Sequence, residues 1–171
     1  MASEPSLRRL YLLRHAQAAW PTPGQRDFDR HLDTAGLDGA HRVGKAISRA
    51  GFHVARVLCS PALRCRQTLD ALVAECSDVS DIRFVDDLYS GTGATYLALI
   101  AENAGNGPLL VVGHNPSIDA IFRTIIGSEA DNAVPAGYPP GALAAIDLTE
   151  AGGNHIAGTL AGWIDPDGTR R

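Results

Sequence analysis

The sequence predicts an α/β domain whose largely parallel central sheet lies between helical layers. Three observations predict it. The runs LYLL (10–13) and LLVVG (109–113) are short and continuously apolar, as strands buried on both faces are, rather than alternating like half-exposed strands, and RVLC (56–59) reads as a further short strand. Between them lie longer segments with apolar positions at helical spacing. Each strand run also stops at polar residues, Arg14-His15, Ser60-Pro61 and Gly113-His114, and ligands of open α/β sheets bind outside the carboxyl ends of the strands.

Taken in order, residues 9–13 form the first strand. Ala16 to Asp33, with Pro21, Pro23, Gly24 and many charges, reads as a long loop, and long ordered loops are often functional. Thr34 is expected to cap a helix with the stripe Leu37, Ala40, Val43 and Ile47, ending near Gly51. After the second strand, RVLC, Ser60 offers a capping hydroxyl and Pro61 a proline for the first helical position, so a helix is expected from there to about Cys76. Its face of Cys65, Leu69, Leu72, Val73 and Cys76 assigns the thiols to the core. IRFV (82–85) is a third strand, followed by a turn rich in Gly and Ser, and TYLALIAEN (95–103) is a helix stopped around Gly105 to Pro108. LLVVG is the most strongly marked buried strand, and Asn115-Pro116 opens a helix through Ser117, Ile118, Ile121, Phe122 and Ile125. GALAAIDL (141–148) and NHIAGTLAGWI (154–164) close the sheet across an AGG turn, and the residues after Trp163 are expected to be loose.

A length of 171 residues and 45% hydrophobic residues fit a single domain over 1–171, with its core at about 9–163. The net charge of -4 offers no general attraction for nucleic acid or an anionic membrane. The apolar run before Arg14 is too short for a signal peptide and no run approaches membrane-spanning length, so a cytoplasmic protein is expected. Three cysteines, Cys59, Cys65 and Cys76, lack metal-finger spacing and argue against a disulfide framework.

If the three strand ends share one pocket, it holds Arg14, His15, Arg64 and His114. Nothing acidic is required there, and fixed cations would repel a divalent metal, so neither metal nor cofactor is expected. An anion is the natural guest. The planar fork of arginine suits phosphoryl oxygens, and guanidinium groups beside an imidazole keep it neutral and nucleophilic. Phosphoryl transfer asks mainly for in-line positioning and charge stabilisation, which such a pocket supplies. His31, His41, His53 and His155 are assigned to the surface.

These residues bring out a resemblance. Arg14-His15-Ala16 is similar to the R-H-G hallmark of the histidine phosphatase, or phosphoglycerate mutase-like, superfamily. Its S-P-x-x-R-x-x-Q-T motif stands intact from Ser60 to Thr68, and G-H-x-P appears as Gly113 to Pro116. The resemblance implies a three-layer α/β/α sandwich and a metal-independent phosphatase. His15 would be the nucleophile, forming a phosphohistidine that water hydrolyses, while Arg14, Arg64 and His114 would bind the phosphoryl group. Gln17 lies near a phosphate-contacting position of many relatives. Ala16 replaces the usual glycine, which a small residue tolerates at negative φ.

Many relatives carry an acidic residue after the third strand, where this chain reads VDDLYSGTG. Asp87 lies nearest, Asp86 competes, and a site without an acid is the remaining alternative. An alcohol leaving group needs a proton, an effect worth ~100-fold to 10,000-fold, whereas a nitrogen leaving group needs less help. The connection from Leu88 to Leu109 is also too short for an inserted lid. Both features resemble the small SixA-type phosphohistidine phosphatases, so a phosphorylated protein is the expected partner. The alternatives are a phosphomonoesterase of small metabolites with Asp87 as acid, or an inactive phosphate-binding interaction module; a mutase would need a closed pocket.

Overall fold

The computed structural model describes residues 8–152 and 155–171. The elements run β1 (Arg8–Arg14), a 3-10 turn (Asp27–Asp29), α1 (Thr34–Arg49), β2 (Arg56–Cys59), α2 (Leu63–Val73), β3 (Asp81–Phe84) and α3 (Asp87–Ser90). Then follow α4 (Gly93–Asn103), β4 (Leu109–Gly113), α5 (Ser117–Ile126), a 3-10 turn (Gly127–Glu129), α6 (Ala130–Ala133), β5 (Leu143–Gly152) and β6 (His155–Ile164). The six strands form one sheet in the order β3-β2-β4-β1-β5-β6. β1, β2, β3 and β4 pair in parallel, and β5 runs antiparallel to both its neighbours. This is the predicted α/β class with a largely parallel sheet.

Alternation along the central strands creates the layers. Leu10 and Leu12 of β1, with Leu109 and Val111 of β4, pack on one face with Tyr96, Ile100, Ile118, Ile121 and Phe122 of α4 and α5. Tyr11, Leu13, Leu110 and Val112 turn to the other face and meet Val43 and Ile47 of α1 and Cys65, Leu69 and Leu72 of α2. β1 and β4 are thus dry on both sides, which is why neither shows a polar alternation. Burying each such side chain contributes about 1.5–3 kcal/mol.

Several boundaries differ from expectation. Asp33 rather than Thr34 caps α1, its carboxylate accepting from Gly36 N at 2.7 Å. α2 begins at Leu63 with Ala62, which has no capping group, at its N-cap; the Ser60 hydroxyl instead meets His114 (2.7 Å) and accepts from Ala62 N (3.4 Å), and the helix ends at Val73 rather than Cys76. The stretch after β3 is not a plain turn but the helical turn α3. Of the AGG turn, Ala151 and Gly152 belong to β5, and Gly153 lies outside the described residues with Asn154. The tail beyond Trp163 is tied down: Asp165 and Thr169 close a turn, Arg171 exchanges backbone hydrogen bonds with Trp163, and its guanidinium holds Asp165. No helix among the described residues is long and apolar enough to cross a membrane.

Candidate active site

Sheet register sets the site. Arg14 lies opposite Gly113 and Cys59 opposite Val112, so the residues that follow leave the sheet side by side. His15 N donates to Gly113 O at 3.0 Å and Ser60 N to Val112 O at 3.0 Å. The rings of His15 and His114 come within 5.2 Å, centroid to centroid. Arg14, His15, Arg64 and His114 line one pocket of about 660 Å3, as three adjoining strand ends require.

Arg64, in the first turn of α2, joins the two rings. Its Nε donates to His15 Nε2 at 3.3 Å, and its Nη2 approaches His114 Nδ1 at 3.3 Å. A guanidinium only donates, so both of those ring nitrogens present lone pairs. The opposite nitrogens fit: His15 Nδ1 donates to Ala16 O at 2.7 Å, and His114 Nε2 donates to Ser60 Oγ at 2.7 Å. Both imidazoles are therefore neutral, and His15 aims the Nε2 lone pair into the pocket. Burial is the main cause, holding His15 down at about 4, against its hydrogen bond to Ala16 and with help from Arg64, Arg14 and Arg30. Burial likewise lowers His114 to about 3, aided by His15 and Arg64. Desolvation outweighs the guanidinium charges on which the sequence reading relied.

The remaining motif residues hold this geometry. Thr68 Oγ1 accepts from Ala16 N at 3.0 Å and donates to Arg64 O at 2.7 Å, while Gln67 Oε1 accepts from Leu32 N at 2.8 Å. One turn of α2 thus ties down both ends of the loop between β1 and α1. Gly113 is required by a close approach, because a Cβ there would lie 2.4 Å from the Tyr96 hydroxyl. That hydroxyl donates to Leu88 O at 2.5 Å and accepts from His114 N at 3.2 Å, joining β4 to α3. Among the described non-glycine residues none has positive φ, so Ala16 fits where relatives carry glycine.

The outer pocket holds groups that the sequence reading missed: Asp27, Arg30, Tyr89 and Asn115. Asp27 Oδ2 accepts from Arg64 Nη2 at 3.0 Å and from the Tyr89 hydroxyl at 3.1 Å, Oδ1 accepts from Arg30 Nη1 at 3.2 Å, and the Asp27 carbonyl accepts from Arg64 Nη1 at 2.7 Å. Asn115 donates to Tyr138 O at 3.2 Å, the carbonyl that Arg14 Nη1 also reaches at 2.8 Å. Arg14 Nε is buried without a protein acceptor. The loop's charge density and its length were the available signals for Asp27 and Arg30; nothing local marked Tyr89.

Gln17 lines the pocket, but its amide nitrogen is engaged by Asp33 Oδ2 at 2.9 Å. Asp87 does not join the site: it heads α3, is exposed, and is absent from the pocket wall, and Asp86 is exposed beside it. The physical reason is the helical turn after β3, which carries Tyr89 rather than either aspartate to the pocket.

Chemically, three guanidinium groups around a neutral imidazole lone pair form a cradle for an oxyanion beside a nucleophile. Comparison with known proteins agrees. A model of the histidine phosphatase superfamily (branch 1) matches residues 10–90. The Agrobacterium tumefaciens protein assigned as phosphohistidine phosphatase SixA is 36% identical, with a TM-score of 0.83 over 92% of this chain and 98% of that one. The protein histidine phosphatase SixA complexed with tungstate is 25% identical, with a TM-score of 0.78 over 92% and 97%. An uncharacterized chloroplastic protein of Arabidopsis thaliana is 32% identical over 74% of this chain, which spans 64% of that relative's length. The intact motifs, the superposed fold and the converging side chains have one common reading: this chain belongs to the histidine phosphatase superfamily and is a hydrolase of the phosphatase class.

Proposed function

We propose that this phosphatase removes the phosphoryl group from phosphohistidine in a protein, through a phosphohistidine formed on its own His15. The observation that carries the reading is the Arg64 fork, which holds His15 Nε2 and His114 Nδ1 at 3.3 Å each inside an open pocket. In the first step His15 Nε2 attacks phosphorus and the leaving nitrogen takes the bonding pair. In the second, water attacks the phosphoryl group on His15 and Nε2 recovers its lone pair. Arg14, Arg64 and His114 bind the equatorial oxygens, where charge develops. Ser60, whose hydroxyl donates as readily as it accepts, lets His114 turn an N–H at Nδ1 toward the anion.

Two features support a nitrogen leaving group. Neither Asp87 nor Asp86 reaches the pocket to protonate an alcohol. The chain between β3 and β4 is also occupied by α3 and α4, so no inserted lid closes over the substrate, and a histidine on a protein surface has access. Two relatives described above carry phosphohistidine or protein histidine phosphatase in their names. The reading places the reaction in the cytoplasm.

The test compares turnover of a phosphohistidine peptide with that of sugar, nucleotide and aryl phosphates, alongside rapid-quench labelling of the protein. We expect the peptide to have the highest kcat/KM and an acid-labile, base-stable label that disappears in His15→Ala. An alkyl phosphate preferred over the peptide would replace this reading with the phosphomonoesterase; phosphate binding without turnover would replace it with the interaction module.

A further inference from the structure

An ionised carboxylate in the wall of a pocket built for an anion needs an explanation. Asp27 sits on the 3-10 turn between β1 and α1, and its carboxylate is held by Arg64, Arg30 and Tyr89. With Asp27 in place, both outward Nη groups of Arg64 are committed to that one residue, one to its carbonyl and one to its carboxylate. A phosphoryl group that engages the fork must therefore displace this carboxylate, which is tethered only through polar bonds near the surface. Arg30 and Tyr89 keep it at the pocket mouth when Arg64 lets go.

We propose that Asp27 is the residue that selects the leaving group: displaced from Arg64 by the incoming phosphoryl, its carboxylate accepts the N–H on the far nitrogen of the departing imidazole. This inference rests on the phosphohistidine reading and names the group that recognises the histidine ring itself. Among the described residues lining the pocket Asp27 is the one carboxylate, and it supplies a charged acceptor for such a ring. The chemistry balances without a proton donor. The substrate ring, as its cation, carries phosphorus on one nitrogen and a proton on the other; the P–N bond breaks as His15 Nε2 bonds to phosphorus, its electron pair returns to the ring, and the ring leaves as neutral imidazole, keeping its N–H hydrogen-bonded to the Asp27 carboxylate.

The same carboxylate is poorly suited to an ester. Partial burial alone would raise its pKa, but hydrogen bonds from Arg64 and Arg30, the Arg64 charge and the Tyr89 hydroxyl hold it below the usual carboxylate range. It stays ionised at neutral pH and has no proton for an alkoxide. Its negative charge also repels acidic groups carried on small phosphorylated metabolites.

The experiment measures kcat/KM of wild type, Asp27→Asn and Asp27→Ala on three probes: a phosphohistidine peptide, the same peptide methylated on the ring nitrogen that lacks phosphorus, and 4-nitrophenyl phosphate. Loss of a hydrogen bond to a charged group predicts a fall of about tenfold or more on the first probe. The methylated peptide, having no N–H to offer, shows no comparable loss. The aryl phosphate gains, because Arg64 no longer has a competing anion. An equal change on all three probes, or no change on any, overturns the role of Asp27, and thermal melts of both variants identify a mere folding defect, which would appear as an equal loss. Wild-type protein that hydrolyses the aryl phosphate but not the phosphohistidine peptide would remove the functional reading and this inference together, an outcome distinct from the others.

Discussion

The inner and outer halves of the pocket are built differently. Inside, Arg14, His15 and His114 stand at the ends of two paired strands, and Arg64 enters from the first turn of α2. Outside, Asp27, Arg30 and Tyr89 come from a 3-10 turn, the loop after it and a one-turn helix. The Arg64 side chain is 7% exposed, whereas its partner Asp27 is 54% exposed. The inner groups are placed by sheet register and by apolar packing on both faces, so moving them would disturb the core. The outer groups are placed by hydrogen bonds near water, each worth little in stability. The contrast assigns rigid positioning to the first set and ligand-dependent rearrangement to the second.

The division can be broken or sharpened by experiment. The largest effect is expected for Arg64→Lys, which keeps the charge but not the fork that reaches both rings: kcat/KM should fall about 100-fold to 1,000-fold on every substrate. A loss below tenfold would mean that charge alone, not geometry, organises the inner half. Next, the ring signals of His15 and His114 in an NMR titration should move at about pH 4 and about pH 3. Because both folded values lie below the unfolded 6.5, the unfolded chain takes up protons first as pH falls, and stability should drain away from about pH 6.5 down to these folded values. A midpoint near 6.5 for His15 would show a hydrated ring and remove the dry inner half.

Tyr96→Phe should cost about 1–3 kcal/mol, seen as a lower urea midpoint at constant slope, since the Leu88 carbonyl and the His114 amide both lose a buried partner. An unchanged midpoint would show that β4 and α3 are not joined through this hydroxyl. The smallest effect belongs to the outer half: Tyr89→Phe removes one partly exposed hydrogen bond to Asp27, and KM should change by about twofold to fivefold while kcat stays near wild type. A kcat loss as large as that of Arg64→Lys would erase the distinction between the halves.

Legibility in the sequence follows the same line. LYLL and LLVVG are uninterrupted apolar runs because β1 and β4 are covered on both faces, and their ends were readable as the places where burial stops. Arg14, His15, Arg64 and His114 could be found because each follows such an end at short range. Asp87 misled because local spacing after β3 says nothing about which side of a helical turn faces the pocket. Asp27 lies in a loop whose charges look alike in one dimension; only the arrival of Arg64 from α2 and Tyr89 from α3 distinguishes it from Asp29 or Asp33.

By itself, then, the order of residues determined the α/β class, the central buried strands and the chemical set of two imidazoles and two guanidiniums, because hydrophobic periodicity and strand termination are local properties of the chain. The tertiary structure alone decided the ring tautomers, the depth of desolvation at His15 and the choice of Asp27 as the pocket's carboxylate. Those depend on which distant groups meet in space and on how much water they exclude, and both quantities exist only once the sheet has brought its strand ends together.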